Sequence, residues 1–262
     1  MKKTVLALAM FFVALGINAQ DFYVALSGGV TGVTSQKTLR TGGDLKGSYG
    51  EGYQGQLRLG YLFDKTFGVD LGVGYLYGSD QQIANSNGLD IVGRARAFGL
   101  SLSGLVNLSE NVYVRAGLLT KLGGRTDIVG TLEQGPLKID FERDNHGKFP
   151  LGFNAAFGVK FKLNDKWGVF AEMEYQGIDV DADESVLDTY SAYLGGEVLQ
   201  PAELAQVLAT LPVEAQMQIG GLITDKVTYV DNPTPGQPES KSITAPYSSF
   251  GLNIGVTYSF DW

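Results

Sequence analysis

The last thirteen residues of the chain, Phe250 to Trp262, set the strictest constraint on its fold. Every even position is apolar: Phe250, Leu252, Ile254, Val256, Tyr258, Phe260 and Trp262. The odd positions between them hold Gly251, Asn253, Gly255, Thr257, Ser259 and Asp261. Successive side chains of a β-strand point to opposite faces, so this segment has one greasy face and one small, polar face. At 13 residues it outruns the typical soluble strand of about five or six.

The pattern recurs along the chain. Phe67, Val69, Leu71, Val73, Tyr75 and Tyr77 alternate with mostly glycine, and Phe149 to Leu163 repeats the rule. Tyr53, Leu57, Leu59, Tyr61 and Phe63 face away from Gln54, Gln56, Arg58 and Gly60. Segments near 21–32, 95–107, 112–123 and 167–177 follow it less cleanly, which brings the expected strands to eight. A soluble sandwich also alternates, but with shorter strands whose apolar faces lack aromatic ends.

The connections decide orientation. Short turns lie at Asp64-Lys65-Thr66, from Leu108 to Asn111, and at Asn164-Asp165-Lys166. The other links are long, near 33–48, 79–94, 124–148 and 178–248. Short turns at one end and long loops at the other mark an outer-membrane barrel with its turns in the periplasm. Phe63, Phe67, Phe161, Trp167, Phe260 and Trp262 would form the periplasmic aromatic girdle. Tyr53, Tyr75, Tyr77, Phe98, Phe153, Tyr175 and Phe250 would form the outer one. Eight strands enclose an interior just wide enough for side chains. That accounts for 36 glycines, with inward ones such as Gly68, Gly72, Gly74, Gly152 and Gly158 leaving room for longer neighbours.

Met1 to Ala19 carries two lysines, an apolar run from Thr4 to Gly16 and a small-residue exit at Asn18-Ala19. Those three regions define a secretory signal peptide. The run is shorter than the roughly 20 apolar residues of a membrane anchor. The expected organisation is therefore a leader over 1–19 and a barrel over 20–262, with 178–248 as a long outer insertion. Without Lys2 and Lys3, 18 basic residues face 28 acidic ones, a net charge of −10 that argues against nucleic acid as a partner. Cysteine is absent, so no disulfide or thiol chemistry arises, and one histidine is too few for a two-histidine metal site.

With its leader ending in NAQ, its first strand DFYVALSGG and its terminal GVTYSFDW, the chain resembles small eight-stranded outer-membrane barrels of the OmpA/OmpX type. It is most similar to the outer membrane β-barrel domain proteins common in Bacteroidetes. The resemblance covers the whole mature chain. It implies an all-β, antiparallel, up-and-down barrel in the outer membrane, in contact with lipid and lipopolysaccharide. It also implies that Tyr258, Phe260 and Trp262 form the signal read by the barrel-assembly machinery. Gly255 stands two residues earlier than that signal's glycine.

Candidate chemistry is sparse. His146, in FERDNHGK with Glu142, Arg143 and Asp144, falls in the third long loop with no serine beside it, and reads as a solvated loop histidine. Asp179, Asp181, Asp183 and Glu184 open the fourth loop as a calcium loop begins. Glu184 then replaces the sharp-turn glycine and Tyr190 the bidentate glutamate, so a solvated acidic rim is the simpler reading. Parity points Arg58, Asp70, Arg115, Lys121, Lys160, Lys162, Glu172 and Glu174 into the lumen. Mixed signs in a narrow barrel imply ion pairs that plug it, since unpaired charges there are costly. Lys160 and Glu172, on neighbouring strands, are expected to lie close.

The fourth loop reads as two short helices. Ser185-Val-Leu-Asp188 resembles a capping box, with Val186, Leu187, Tyr190, Tyr193 and Leu194 at helical spacing up to Gly195. Pro201 to Leu211 puts Leu204, Leu208 and Leu211 on one face, with Pro212 as the stop. Their faces would pack on each other and on the barrel mouth, and Asp231 to Lys241 would return as a flexible or extended arm. The expected role is structural and interactive: a membrane-stabilising barrel whose loops contact surface or host molecules, with no enzymatic activity and no cofactor. The alternative is transport of a small solute or hydrophobic ligand. Deleting Phe260 to Trp262 is expected to leave protein in the periplasm; normal heat-modifiable protein in membrane fractions would contradict the terminal signal.

Overall fold

A computed structural model describes residues 21–33, 47–86 and 88–260. The leader, Met1 to Ala19, and Trp262 of the assembly signal lie outside the described residues. In chain order the first strands are β1 (Asp21–Val33), β2 (Gly52–Leu62), β3 (Phe67–Gly78), β4 (Gln81–Ser86), β5 (Leu89–Asn107) and β6 (Val112–Gln134). Next come β7 (Leu137–Gly147), β8 (Gly152–Lys162), β9 (Trp167–Gly177), β10 (Asp179–Leu194) and β11 (Glu197–Val198). Two helices follow, α1 (Pro201–Ala209) and α2 (Val213–Ile223). The last strands are β12 (Lys226–Val230), β13 (Glu239–Lys241), β14 (Thr244–Pro246) and β15 (Ser249–Phe260).

Eight of these strands, β1, β2, β3, β5, β6, β8, β9 and β15, pair in turn as antiparallel neighbours. The ring closes where β1 meets β15, in register from Phe22 opposite Phe260 to Val33 opposite Ser249. Alternation sorts the faces as expected. Ile254 is 72% exposed on the lipid side, while Asn253 beside it is 1% exposed in the lumen. Aromatic side chains meet at the strand ends: Phe22, Tyr61 and Phe63 on one arc of the periplasmic rim, Trp167, Tyr258 and Phe260 on another. Tyr75 packs on Phe98 and Phe153 on Tyr175 towards the outer rim.

The three short turns share one device. A side-chain oxygen accepts backbone N–H groups two and three residues on, the reason Asp, Asn and Ser favour turns. Asp64 Oδ1 takes Thr66 and Phe67 at 2.6 and 2.7 Å; Asn164 Oδ1 takes Lys166 and Trp167 at 3.0 and 2.9 Å. Ser109 Oγ does the same for Asn111 and Val112 at 3.3 and 3.1 Å.

The outer ends differ from the expected loops. Strands β5 and β6 continue past the barrel as one hairpin, pairing from Leu89 opposite Leu132 down to Ala97 opposite Gly124. Strand β7 joins β6, β10 joins β7, and β4 and β12 extend the sheet on either side. The third link, 124–148, is therefore a β-hairpin, and His146 lies on a strand opposite Glu184 rather than in a loop. The segment Ser185–Leu194 is strand, not helix. Two register shifts, between Ala182 and Glu184 and between Leu187 and Thr189, break its period of two. Ser185, Leu187, Tyr190 and Ala192 then reach one face at mixed spacings of two and three, which imitates a helix. The free backbone edge of β7 decides the outcome. Of the arm, Glu239–Lys241 pairs in parallel with β12.

Helices α1 and α2 lie on the apolar face of this outer sheet. Leu204 of α1 and Ile219 of α2 are buried with Leu132, Leu137, Ile139 and Ala192. The backbone N–H of Gln200 donates to Glu203 Oε2 at 2.7 Å, holding the start of α1. Arg143, buried on β7, donates to the carbonyls of Leu222 and Thr224 at 3.0 and 2.6 Å, the groups a helix C-terminus leaves unpaired. Its other nitrogens donate to Ser185 Oγ and Ser185 O at 2.9 and 3.0 Å, tying α2 to β10.

Ile254→Arg places a charge on the lipid face and is expected to cost about 2–4 kcal/mol near the bilayer midplane. Met217→Arg, on the exposed side of α2, is expected to change stability by less than about 0.5 kcal/mol. Urea unfolding in liposomes separates the two; equal tolerance would contradict the lipid face.

Candidate functional site

Parity brings a set of long polar side chains into a lumen lined elsewhere by small residues. Each charged residue faces a small one across the ladder: Arg58 pairs with Ala25 and Gly72, Arg115 with Ala156, Glu174 with Ala156 and Gly251. A Cβ on Gly72 would stand 2.5 Å from Ser101 Oγ and 3.3 Å from Arg58 Cγ, so glycine there leaves room for Ser101 first and for the stem of the arginine second. Below this level, Tyr113 lies over its ladder partner Gly158 and Phe170 over Gly255, where an added Cβ would come within 2.3 and 2.5 Å of the rings.

The charges meet in one layer. Arg58 Nη1 donates to Glu172 Oε1 at 2.7 Å. Arg115 Nη2 bridges Glu172 Oε1 and Glu174 Oε1, each at 3.0 Å. The Tyr113 hydroxyl donates to Glu172 Oε2 at 2.8 Å. Glu174 Oε2 collects amide donors from Gln56 at 2.6 Å, Asn253 at 3.0 Å, and Gln54 and Gln176 at 3.3 Å each. Asn154 donates to Glu174 Oε1 at 3.3 Å. All four charged groups are 4% exposed or less, so they are paired in a medium that would penalise them singly.

Four of the expected lumen residues, Arg58, Arg115, Glu172 and Glu174, thus converge. Asp70 sits beside them, 3.7 Å from Arg115 Nη1, without a hydrogen bond among the described residues. The expected Lys160–Glu172 contact does not form. Register puts Gly158 opposite Glu172 and Lys160 opposite Phe170, and Lys160 Nζ donates to Asn107 Oδ1 at 2.6 Å instead. Lys162 is exposed at the periplasmic end. The amides of Gln54, Gln56, Asn154, Gln176 and Asn253 complete the layer; strand parity was the signal that could have found them.

Above the layer lies a cavity of 70 Å³, below it one of 190 Å³. The upper one is roofed by Tyr247, whose hydroxyl accepts from Lys121 Nζ at 3.3 Å and shares a hydrogen bond with Thr126. Burial pushes the Tyr247 hydroxyl up to about 12, so it stays protonated at physiological pH. The strap carrying it is sewn down by Tyr49 N–H to Pro246 O at 2.8 Å and Ser48 Oγ to Ser248 O at 2.6 Å.

On the outer sheet, Arg125 bridges Asp127 and Asp144 at 2.7 and 2.6 Å, and Lys226 pairs with Glu184. Burial raises Asp144 above the ordinary carboxylate range, against the pull of Arg125. Asp179, Asp181 and Asp183 lie along β10, where alternate residues are spaced about 6–7 Å apart rather than converging. Among the described residues no group of three acidic or histidine side chains is placed to hold a metal ion.

A closed eight-stranded barrel with a lipid-facing apolar band and a polar, side-chain-filled lumen defines an integral outer-membrane protein. The chain belongs to the outer membrane protein beta-barrel domain family, which it matches over residues 4–197. A major outer membrane protein from Thermus thermophilus aligns with it at 15% identity and a TM-score of 0.42, covering 92% of this chain and 98% of that one. CarO2 of Acinetobacter baumannii aligns at 13% identity and a TM-score of 0.37, covering 91% and 99% of the two chains. The outer membrane protease OmpT of Escherichia coli aligns at 7% identity and a TM-score of 0.28, covering 93% and 98%. No curated protein matches the sequence.

Arg115→Ala would leave Glu172 and Glu174 to share Arg58, and is expected to cost about 3–5 kcal/mol. A lowered urea midpoint in liposomes, beside an unchanged Lys65→Ala control at an exposed turn, is the expected reading.

Proposed function

We propose that this protein is a non-catalytic outer-membrane barrel that acts through its extracellular sheet and helices, with a lumen that anchors rather than conducts. The observation that carries the reading is the charged layer. Glu174 alone gathers Arg115 and five amides, so the middle of the barrel is occupied by side chains with few free valences. A conduit would need that network to open, against the cost of separating buried ion pairs.

The second support is the material built outside the membrane. Strands β7 and β10 and both helices add nothing to the barrel wall, yet they form an apolar core with the outer ends of β5 and β6. Binding surfaces commonly sit on such outer elements held by a rigid scaffold. Their exposed side offers acidic residues, including the stretch Asp179 to Glu184, to surface or host molecules and to the divalent ions that bridge lipopolysaccharide. We read His146 as part of this polar face. Its strand partner is Glu184, itself held by Lys226, and the adjacent Ser185 is buried with its hydroxyl accepting from Arg143 Nε.

Planar-bilayer recording decides the lumen question. The intact protein is expected to pass no steady current, and a variant lacking residues 200–224 is expected to stay silent as well, because the charged layer lies below the excised helices. Steady conductance of the intact protein would favour small-solute transport instead.

A further inference from the structure

The cavity below the charged layer carries polar chemistry that the plug does not use. It runs from the Asn164–Lys166 turn up to the layer and encloses 190 Å³. Two arginines there serve three carboxylates. Arg58 and Arg115 hydrogen-bond Glu172 and Glu174, while Asp70 is held only by an ion pair, 3.7 Å from Arg115 Nη1, with both its oxygens lacking a hydrogen-bond partner among the described residues. Arg58 Nε, Arg115 Nε and Arg115 Nη1, the nitrogen facing Asp70, are likewise without a hydrogen-bond partner there. Native interiors hold few such groups, and each calls for an explanation. Here they cluster at the wall of one cavity.

The remaining lining has two further characters. Leu62, Leu105 and Phe170 give it an apolar side. Lys162 and Lys166 stand exposed at the mouth, offset only by Asp165, with Lys160 behind them. From the periplasm inward the order is therefore cationic rim, apolar wall, and a carboxylate short of hydrogen bonds.

We propose that this cavity is a periplasm-facing binding site for a small zwitterion with an apolar side chain, of the amino-acid class, its ammonium directed to Asp70 and its carboxylate to the lysine rim. A simple anion would leave Asp70 as it stands, and a simple cation would have to pass the lysines. A neutral apolar molecule would bury polar groups without partners, which opposes its binding. Size agrees: a cavity of about 150 Å³ holds a six-carbon ring, and this one is somewhat larger. Water filling is the competing occupant, and it makes no distinction among solutes. The site needs no current through the barrel, so it stands apart from the conductance question.

Isothermal titration on the refolded full-length protein, with three probes of one shape, separates the cases. L-Leucine carries both charges, 3-methylbutylamine lacks the carboxylate, and 4-methylpentanoate lacks the ammonium. Leucine is expected to bind at least tenfold more tightly than either half. Asp70→Asn is expected to weaken leucine at least tenfold and leave 4-methylpentanoate unchanged. Lys162→Ala, at an exposed site that cannot unfold the barrel, is expected to weaken leucine and 4-methylpentanoate together. No binding of leucine, or 4-methylpentanoate binding as tightly as leucine with Asp70→Asn indifferent, would overturn the proposal.

Discussion

Hydrocarbon offers no hydrogen bonds to a peptide backbone, and an unpaired N–H or C=O there costs several kcal/mol. The rest of this molecule follows from that one requirement. It forces the sheet to close between β1 and β15, it fixes strand length by bilayer thickness, and it makes the alternation of lipid and lumen faces obligatory. Outside the membrane the requirement lapses. There the same strands are free to end in edges, bulges and short pairings, and β10 uses two register shifts within one strand.

Closure with eight strands creates a second problem, a lumen too narrow to hydrate its charges freely. The chain meets it by pairing large with small. Arg58 and Arg115 extend across positions vacated by glycine and alanine, and rings of Tyr113 and Phe170 occupy the space left by the glycines directly opposite them. The carboxylates sit where two arginines and a ring of amides reach them at once. Bulk and polarity are thus traded residue against residue along the ladder, which is why the glycine content is high without making the barrel weak.

The barrel was legible from sequence because its signal is local: each strand states its own two faces. The inward direction of Arg58, Asp70, Arg115, Glu172 and Glu174 came from the same parity, and these residues do converge. Their partners were harder to assign. Lys160 and Glu172 are both inward and on adjacent strands, yet a register offset of two residues separates them, and no local pattern reports register. The outer sheet was misread for a related reason. The bulges in β10 mix spacings of two and three, so Ser185 to Leu194 looked helical until the edge of β7 supplied its pairing. Pro201 to Ala209, with proline at its start and packed on the face of the outer sheet rather than along a strand edge, kept its helical character.

The hairpin of β5 and β6 runs without interruption from the periplasmic turn at Leu108–Asn111 to the top of the outer sheet. From Gly124 to Gln134 it rises about 3.3 Å per residue, on the order of 30 Å along the strand. The two halves meet at a single bulge beside Phe98, next to Gly124 with its φ of 101°. A load applied to the helices would therefore pass through backbone hydrogen bonds sheared along their length into the wall of the barrel. The bilayer, gripping that wall through its aromatic rims, would bear the force.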